Sequence, residues 1–298
     1  MSNKAAIDEY IERELKEGTL YGPFDEVPFK NAVLSPLSTT GKRESDEKRV
    51  IHDLSFPHGS SVNDMIPKNT YLGKPFSLRF PTVDKFAELI KRKGRGCAIF
   101  KKDLRRCYKQ IKVDPGDVHL LGFTWEGKFY FDNTLPMGLR SSAYCCQRTT
   151  DGIKYMYQQE GYDLENYLDD LAGAEWWSHA DAAYSTLGEV LDDTGTEESK
   201  HKAWGPSVRM PYLGVLFDTI DLTMAVTEDR LKELNSLLEV WANKTCANKK
   251  EVQSIIGKLS FVASCVRPGR IFISRMLSFL RGMGDLTRKP LSEDFLKD

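Results

Sequence analysis

The stretch from Asn166 to Ala172 reads N-Y-L-D-D-L-A and restricts the chain more than any other. Asp169 and Asp170 are adjacent acids, with Tyr167 and Leu168 before them and Leu171 after. Two carboxylates buried side by side repel each other, and a fold rarely tolerates them without a counter-charge. A divalent cation is the usual remedy, because hard cations such as Mg²⁺ take carboxylate oxygens together with substrate phosphates. Ala172, Gly173 and Ala174 are small and suit a strand–turn–strand whose tip presents the acids. Taken alone, the acidic pair favours an exposed turn in a β-hairpin, so the rest of the chain has to decide.

A chain of 298 residues that is 41% hydrophobic and 29% charged can build a real core as one large domain or two or three small ones. Its 42 basic and 43 acidic residues give a formal net charge of −1, so any basic surface must be local. The six cysteines, Cys97, Cys107, Cys145, Cys146, Cys246 and Cys265, show no CxxC spacing and read as reduced intracellular thiols that pack. No apolar run is long enough to span a bilayer, and the charged segment Met1 to Glu17 lacks a signal-peptide core. The expected location is intracellular, in cytoplasm or nucleus.

Read in order, the chain opens with an amphipathic helix, Ile7, Tyr10, Ile11 and Leu15 sharing one face. Lys42, Arg43, Lys48 and Arg49 surround the start of the strand-like run Val50 to Leu54; a basic loop there reads as a solvated hairpin or a phosphate holder. Pro57 to Pro81 is rich in Gly, Pro, Ser and Asn and reads as a long crossing loop. Thr82 then caps a helix to about Lys93, whose terminal charge run, Lys91 to Arg95, reads as solvated. Cys97 to Phe100 is an apolar strand running through Lys101 and Lys102 into Asp103. Leu120 to Thr124 and Phe129 to Asp132 flank a Gly-bearing turn. Leu135-Pro136-Met137-Gly138-Leu139 marks a tight loop, and Ser141 or Ser142 caps a helix to about Gln159. Asp163 to Glu175 is the acid-bearing hairpin, His179 to Leu191 a helix, and Lys200 and Lys202 lie in a loop after it. Tyr212 to Phe217 pairs with Leu222 to Val226. Beyond Thr227 the pattern is helical: Leu231, Leu234, Leu238 and Trp241 line one helix, Asn248 to Glu251 forms a capping box for a second, and a third starts near Arg270.

In chain order these pieces resemble the polymerase palm of reverse transcriptases followed by a thumb. The residues that carry the resemblance are Phe100-Lys101-Lys102-Asp103 with Tyr108 after it, Leu135 to Leu139, Tyr167-Leu168-Asp169-Asp170, and Tyr212-Leu213-Gly214. Arg49 and Asp53 match the family's fingers strand. The likeness runs from about Lys42 to Met283, and the wording of Leu135 to Ser142 and Leu213 to Asp218 is similar to retrotransposon enzymes of the DIRS type. It implies an α+β, right-hand polymerase. Residues 1–102 would hold the N-terminal segment, fingers and start of the palm. Residues 103–226 would be palm with some fingers elements and a primer-grip hairpin, and 227–298 a helical thumb and start of a connection.

The resemblance implies RNA-directed DNA polymerase activity on an RNA or DNA template, with two Mg²⁺ ions (or Mn²⁺) between a primer 3′-hydroxyl and the phosphates of a dNTP. The implied metal set is Asp103, Leu104, Asp169 and Asp170, and Lys202, or else Lys200, would protonate pyrophosphate. Arg49 with Lys42 or Arg43 would grip the triphosphate, and Arg106 and Cys107 would offer it backbone N–H groups. Tyr108 would lie under the sugar and exclude a 2′-hydroxyl. Met137 and Gly138 would border the nucleotide and template base, with Met where retroviral enzymes carry Gln. Tyr167, Leu213 and Gly214 would meet the primer, and Lys249, Lys250, Lys258, Arg267 and Arg270 the phosphates of a primer–template duplex. Two alternatives stand beside this: an RNA-directed RNA polymerase, which Tyr108 argues against, and an inactive nucleic-acid-binding remnant. The chain is expected to be part of a longer element-encoded protein continuing into RNase H.

Overall fold

The computed structural model describes residues 2–41, 48–77, 80–284 and 288–296, without the side chains of Arg267 and Leu296. Lys42 and Arg43 lie outside the described residues. The fold mixes helices with antiparallel sheets, as the motifs imply.

Helix α1 (Asn3–Lys16) starts at Ser2, whose side chain accepts a hydrogen bond from the Ala5 amide. After β1 (Leu20–Phe24) comes the hairpin of β2 (Leu37–Gly41) and β3 (Lys48–His52), with Thr40 opposite Arg49. The segment read as a long loop contains a turn of helix, α2 (Val62–Met65), and the small hairpin β4 (Thr70–Tyr71) and β5 (Lys74–Pro75). Its signals were local: Ser61 and Asp64 form a capping box, and Leu72-Gly73 turns with both φ positive. Next come α3 (Val83–Lys93), β6 (Ala98–Asp103), β7 (Gly122–Trp125), β8 (Lys128–Asp132) and α4 (Ser142–Gln159). Ser141 sits at the N-cap of α4 without a side-chain cap bond, and Ser142 donates instead to the Pro136 carbonyl at 2.9 Å. Then follow β9 (Leu164–Tyr167), β10 (Asp170–Glu175), α5 (Trp177–Asp193) and β11 (Trp204–Ser207). The chain finishes with β12 (Arg209–Tyr212), β13 (Val215–Asp218), β14 (Thr223–Val226), α6 (Glu228–Ala242), β15 (Cys246–Ala247), α7 (Lys249–Cys265), α8 (Ser274–Arg281), β16 (Lys289–Pro290) and α9 (Glu293–Leu296).

The chain divides into two compact units. The first comprises Met1–Phe86, Phe100–Gly173 and Ser178–Gly205. In one of its cores Ile7, Ile11 and Leu20 pack on Phe123 and Tyr130 of the antiparallel β7–β8 hairpin. In another, Cys146, Ile153 and Tyr157 of α4 and Ala183, Leu187, Val190 and Leu191 of α5 pack with Phe100, Leu104, Leu164 and Leu171 from β6, β9, β10 and the segment after β6. Strands β11, β6, β10 and β9 form a four-stranded sheet in that order, so β6 and β10 are neighbours. Gly173 has no room for a side chain, since a Cβ there would lie 2.4 Å from the Phe100 ring.

The second unit comprises Ala87–Ile99, Ala174–Trp177 and Pro206–Asp298. Here β12, β13 and β14 form an antiparallel meander, where a single hairpin was expected. Leu213 and Gly214, read as strand residues, are a two-residue turn with φ of 50° and 79°. Trp241, Val252, Ile255, Ile256, Met276 and Phe295 share a helical core. Asn248 and Glu251 form the expected capping box of α7. Leu231 and Leu238 are each 40% exposed while Leu234 and Trp241 are buried, and Arg267–Ile273 is a 3-10 segment, so α8 starts at Ser274 rather than near Arg270. Lys93 is not solvated, as its charge run suggested, but pairs with Glu175 at 2.7 Å over the Trp176 ring. Among the described residues no helix is long and apolar enough to cross a membrane.

Gly173→Ala is expected to destabilise the first unit by about 1–3 kcal/mol, the usual cost of overpacking a filled core. Urea unfolding of the two proteins, compared at unchanged m-value, measures it.

Candidate active site

The acids stand at a two-residue turn. Strands β9 and β10 pair from Tyr167–Asp170 to Leu164–Gly173, which leaves Leu168 and Asp169 as the connection. Leu168 takes a φ of 52°, a left-handed conformation that a leucine adopts only when its surroundings hold it. The hold is visible. The Leu168 amide donates to Gln147 Oε1 at 2.9 Å, and Gln147 Nε2 donates to the Asn166 carbonyl at 3.1 Å. Asn166 Nδ2 reaches Thr150 Oγ1 and Asp151 Oδ1, both at 3.0 Å. Gln147, Thr150 and Asn166 are buried, so these amides and the hydroxyl are committed to the turn. On the other side the Leu104 amide donates to the Asp169 carbonyl at 2.8 Å, which ties the end of β6 to the same turn. Leu104, named as a metal ligand, has its side chain in the core.

Asp103, Asp169 and Asp170 are thereby brought within electrostatic reach of one another. Burial pushes the Asp169 carboxyl above its ordinary range, the Asp103 charge adds to the rise, and Lys202 and Arg49 oppose it. Burial pushes Asp170 up to about 6; Asp169 and Asp103 add to the rise, and Lys101 and Lys202 oppose it. Lys202 Nζ donates to Asp103 Oδ1 at 2.9 Å. Burial pulls the Lys202 ammonium down, but the hydrogen bond to Asp103 and the charges of all three acids outweigh it, and the net shift is upward. Of the two lysines left open by the sequence, Lys202 is the one at the acids. Lys200 instead lines a surface cavity with Lys102, Tyr184, Glu197 and Glu198.

Among the described residues no three His, Cys, Asp or Glu side chains form a ready-made metal cage. The donor chemistry nonetheless fits a hard cation: all three groups are carboxylates, two are held against their own ionisation, and an ammonium already sits on the third.

Of the residues expected on the nucleotide side, Tyr108 and Arg49 act electrostatically with Asp169. Tyr108, half-buried on the 3-10 turn Cys107–Gln110, has its hydroxyl pushed up to about 12 by burial, with Cys146, Cys107, Asp169 and Tyr167 adding to the rise. Arg49 is exposed on β3. Tyr167 packs on Phe80, ring centroids 4.9 Å apart. Met137 is about half exposed. Gly138, at φ 117°, passes so close to β3 that a Cβ would lie 2.0 Å from the His52 carbonyl oxygen. Asn63, unremarked in the sequence, holds this loop from both sides: Nδ2 donates to the Gly138 carbonyl at 2.8 Å and Oδ1 accepts from the Arg140 amide at 2.7 Å. The Arg106 side chain turns to Glu14 rather than to the acids, and Cys107 is buried in the core.

The remaining predicted residues lie in the second unit. A Cβ on Gly214 would meet the Phe261 ring at 3.1 Å. Lys258 is paired with Glu233 at 2.7 Å, Lys249 is half-buried, and Lys250 and Arg270 are exposed.

The model of the family described as reverse transcriptase (RNA-dependent DNA polymerase) matches residues 43–217. The chain belongs to the reverse transcriptase family. No curated protein sequence matches it. Among solved structures it is similar to a foamy viral protease-reverse transcriptase in complex with double-stranded DNA, at 18% identity and a TM-score of 0.73, over 99% of this chain and 46% of that one. A foamy viral protease-reverse transcriptase with an RNA/DNA hybrid matches at 17% identity and a TM-score of 0.69, over 99% of this chain and 35% of that one. A third, with double-stranded DNA, matches at 17% identity and 0.64, over 97% of this chain and 60% of that one. The chain therefore spans less than two thirds of the length of these structures.

The raised Asp170 carboxyl has a consequence for the metal-free protein. Well below the ordinary carboxylate value of 3.8 Asp170 is protonated both folded and unfolded and contributes nothing. Between the ordinary carboxylate range and about 6 the folded state alone keeps the proton, so ionisation at higher pH costs stability. Asp170→Asn is thus expected to exceed wild type by less than about 1 kcal/mol near pH 4 and by about 1–3 kcal/mol at pH 7.5. Urea unfolding in chelator at the two pH values measures it.

Proposed function

We propose that the chain is the polymerase portion of an RNA-directed DNA polymerase, which extends a primer with dNTPs on an RNA or DNA template. The observation that carries this is the gathering of Asp103, Asp169 and Asp170 at one turn, with Lys202 on Asp103. Reverse transcriptases generally depend on a divalent metal. When bound, Mg²⁺ or Mn²⁺ supplies Lewis acidity to the primer hydroxyl and the leaving pyrophosphate, and Asp103, Asp169, Asp170 and the main chain of Leu104 are its proposed ligands.

The chain's own side chains do the rest. Asp169 and Asp170 are costly to ionise as they stand, so they are primed to accept a cation brought with the nucleotide. Lys202 is held as an ammonium beside the acids, the protonated state that a donor to pyrophosphate must start from. Arg49, with Lys42, grips the triphosphate, and the amides of Arg106 and Cys107 meet it. Met137 and Gly138 border the base. Tyr108 lies under the sugar, and its half-buried ring leaves no space for a 2′-hydroxyl; an RNA polymerase would need that space. Tyr167 and the Leu213–Gly214 turn meet the primer strand.

Residues 1–102 serve as N-terminal segment, fingers and start of the palm, 103–226 as palm with some fingers elements and the primer-grip hairpin, and 227–298 as thumb and start of the connection. Lys249, Lys258, Arg267 and Arg270 hold duplex phosphates, and Lys258 shares its charge with Glu233 until nucleic acid arrives. The foamy viral complexes with double-stranded DNA and RNA/DNA hybrid support nucleic acid as the partner. We infer that the chain is part of an intracellular retrotransposon protein, its motif wording similar to that of the DIRS type.

Asp169→Asn is expected to abolish primer extension, a loss of several kcal/mol of transition-state stabilisation, while primer–template affinity stays near wild type. Near-normal extension would overturn the metal assignment. Tyr108→Val is expected to raise rNTP incorporation far more than it changes dNTP use, read as the ratio of kcat/KM values in single-nucleotide extension. A wild type indifferent to the sugar would favour the RNA-polymerase reading.

A further inference from the structure

The mechanism above leaves a buried group of charges unused. Glu14, on α1, is 1% exposed and therefore needs partners. It finds them on the loop that carries Tyr108. Both Glu14 carboxylate oxygens accept from Arg106 Nη2, and Lys109 Nζ lies 3.7 Å from Oε2. Thr19 Oγ1 donates to Oε2 at 2.6 Å, and the neighbouring Arg13 Nε lies 3.3 Å from Oε1. One turn on, Glu17 takes Arg105 at 2.5 Å. Three basic residues of the segment 105–109 are thus held by two acids at the end of one helix.

The chain of contacts continues. Lys109 Nζ also donates at 2.6 Å to Asp132, which is fully buried. Asp132 Oδ2 lies 3.0 Å from His52 Nδ1, and His52 Nε2 lies 3.1 Å from the Gly122 carbonyl. The His52 backbone in turn donates to the Met137 carbonyl at 3.2 Å and lies against Gly138. One run of buried charge therefore starts at Glu14, passes the turn bearing Tyr108, and ends at the loop bearing Met137 and Gly138. These are the two sides of the nucleotide site.

Ion pairs of this kind add little net stability, because desolvation offsets most of the attraction. Apolar contacts already hold α1 to β7 and β8 through Ile7 and Ile11. What the charges add is a fixed position for the loop. Arg106 sits at φ 50°, a conformation a non-glycine residue keeps only when held, and Tyr108 follows two residues later.

We propose that Glu14 is a positioning residue for nucleotide selection: through Arg106 and Lys109 it fixes where the Tyr108 ring stands. α1 lies outside the segment matched by the family model, and no motif of the sequence pointed to Glu14. The inference rests on the reading of Tyr108 as part of the nucleotide site.

Glu14→Gln keeps the size and an acceptor for Thr19 but removes the charge; Glu14→Asp restores the charge. In single-nucleotide extension with the full chain, Glu14→Gln is expected to raise KM for dNTP and to lower the dNTP-to-rNTP preference, each by about tenfold, as small displacements of a substrate contact do. kcat and primer–template affinity should change little, and Glu14→Asp should recover most of the loss. Hydrogen exchange without substrate should show faster exchange of the amides from Arg105 to Gln110 in Glu14→Gln. A lower Tm with unchanged KM and sugar preference would reduce Glu14 to a structural role and overturn the proposal. So would unchanged exchange of that segment. If wild type fails to extend primers at all while Glu14→Gln still loosens residues 105–110, the functional reading fails and the control of the loop by Glu14 stands.

Discussion

Bringing three carboxylates to one turn is the constraint that the first unit is built to meet. Repulsion among Asp103, Asp169 and Asp170 would spread them if their backbones were free to move. They are not. Asp103 ends a buried strand, Asp170 begins the adjacent one, and Asp169 sits in a connection of two residues whose first member, Leu168, is itself strained. Each restraint removes one way of relieving the charge. The remaining way is to recruit positive charge, and Lys202, Lys101 and Arg49 all act on the acids in this sense. The Lys202 contact is direct and reversible, because its side chain is more than half exposed while that of Asp103 is buried.

The support behind the acids differs in kind from the support behind the loop that carries Tyr108. Behind the turn lie the neutral side chains of Gln147, Asn166 and Thr150, with Asp151 accepting at their outer end. A buried cation there would neutralise the acids from the wrong side and weaken their hold on a ligand at the front. Amides fix the backbone without altering that balance. Behind the loop 105–109 full charges are used, in two acid–base sets centred on Glu14 and Asp132. Burial pushes the Asp132 carboxyl up, but Lys109 and His52 outweigh it and hold it below its ordinary range, so it stays an anion at neutral pH. These charges largely cancel among themselves.

The local features of the site were legible in the sequence. Alternation, a two-residue turn and an N-cap depend on neighbours a few residues apart, which is why the Asp169 hairpin, the Glu126-Gly127 turn and the Asn248–Glu251 capping box were readable. Choices among distant partners were not. Lys200 and Lys202 have equivalent settings in the sequence, and only the course of the chain after α5 puts Lys202 on Asp103. Lys93 looked solvated because its immediate neighbours are basic, while its partner Glu175 is distant in sequence. Leu213 and Gly214 read as strand because apolar residues surround them, although two consecutive positive φ values make them a turn. Gln147, Asn63 and Glu14 carry polar groups whose meaning depends entirely on what the fold brings to them.

Glu14 shows most clearly where similarity and physical construction part company. The family model matches residues 43–217. The compact unit built around the acids is not the same object, for it takes in α1 and β1 as well. β1 pairs with β8, the strand that ends in Asp132, and α1 supplies the carboxylate for Arg106 and Lys109. Removing the segment before residue 43 would leave two cations beside a buried loop with one acid, Asp132, still in reach of Lys109 and none of α1's in reach of Arg106. An uncompensated charge in that position forces either the loop or the side chain toward water. The N-terminal helix thus belongs to the compact unit that holds the acids and supplies the carboxylate that compensates Arg106.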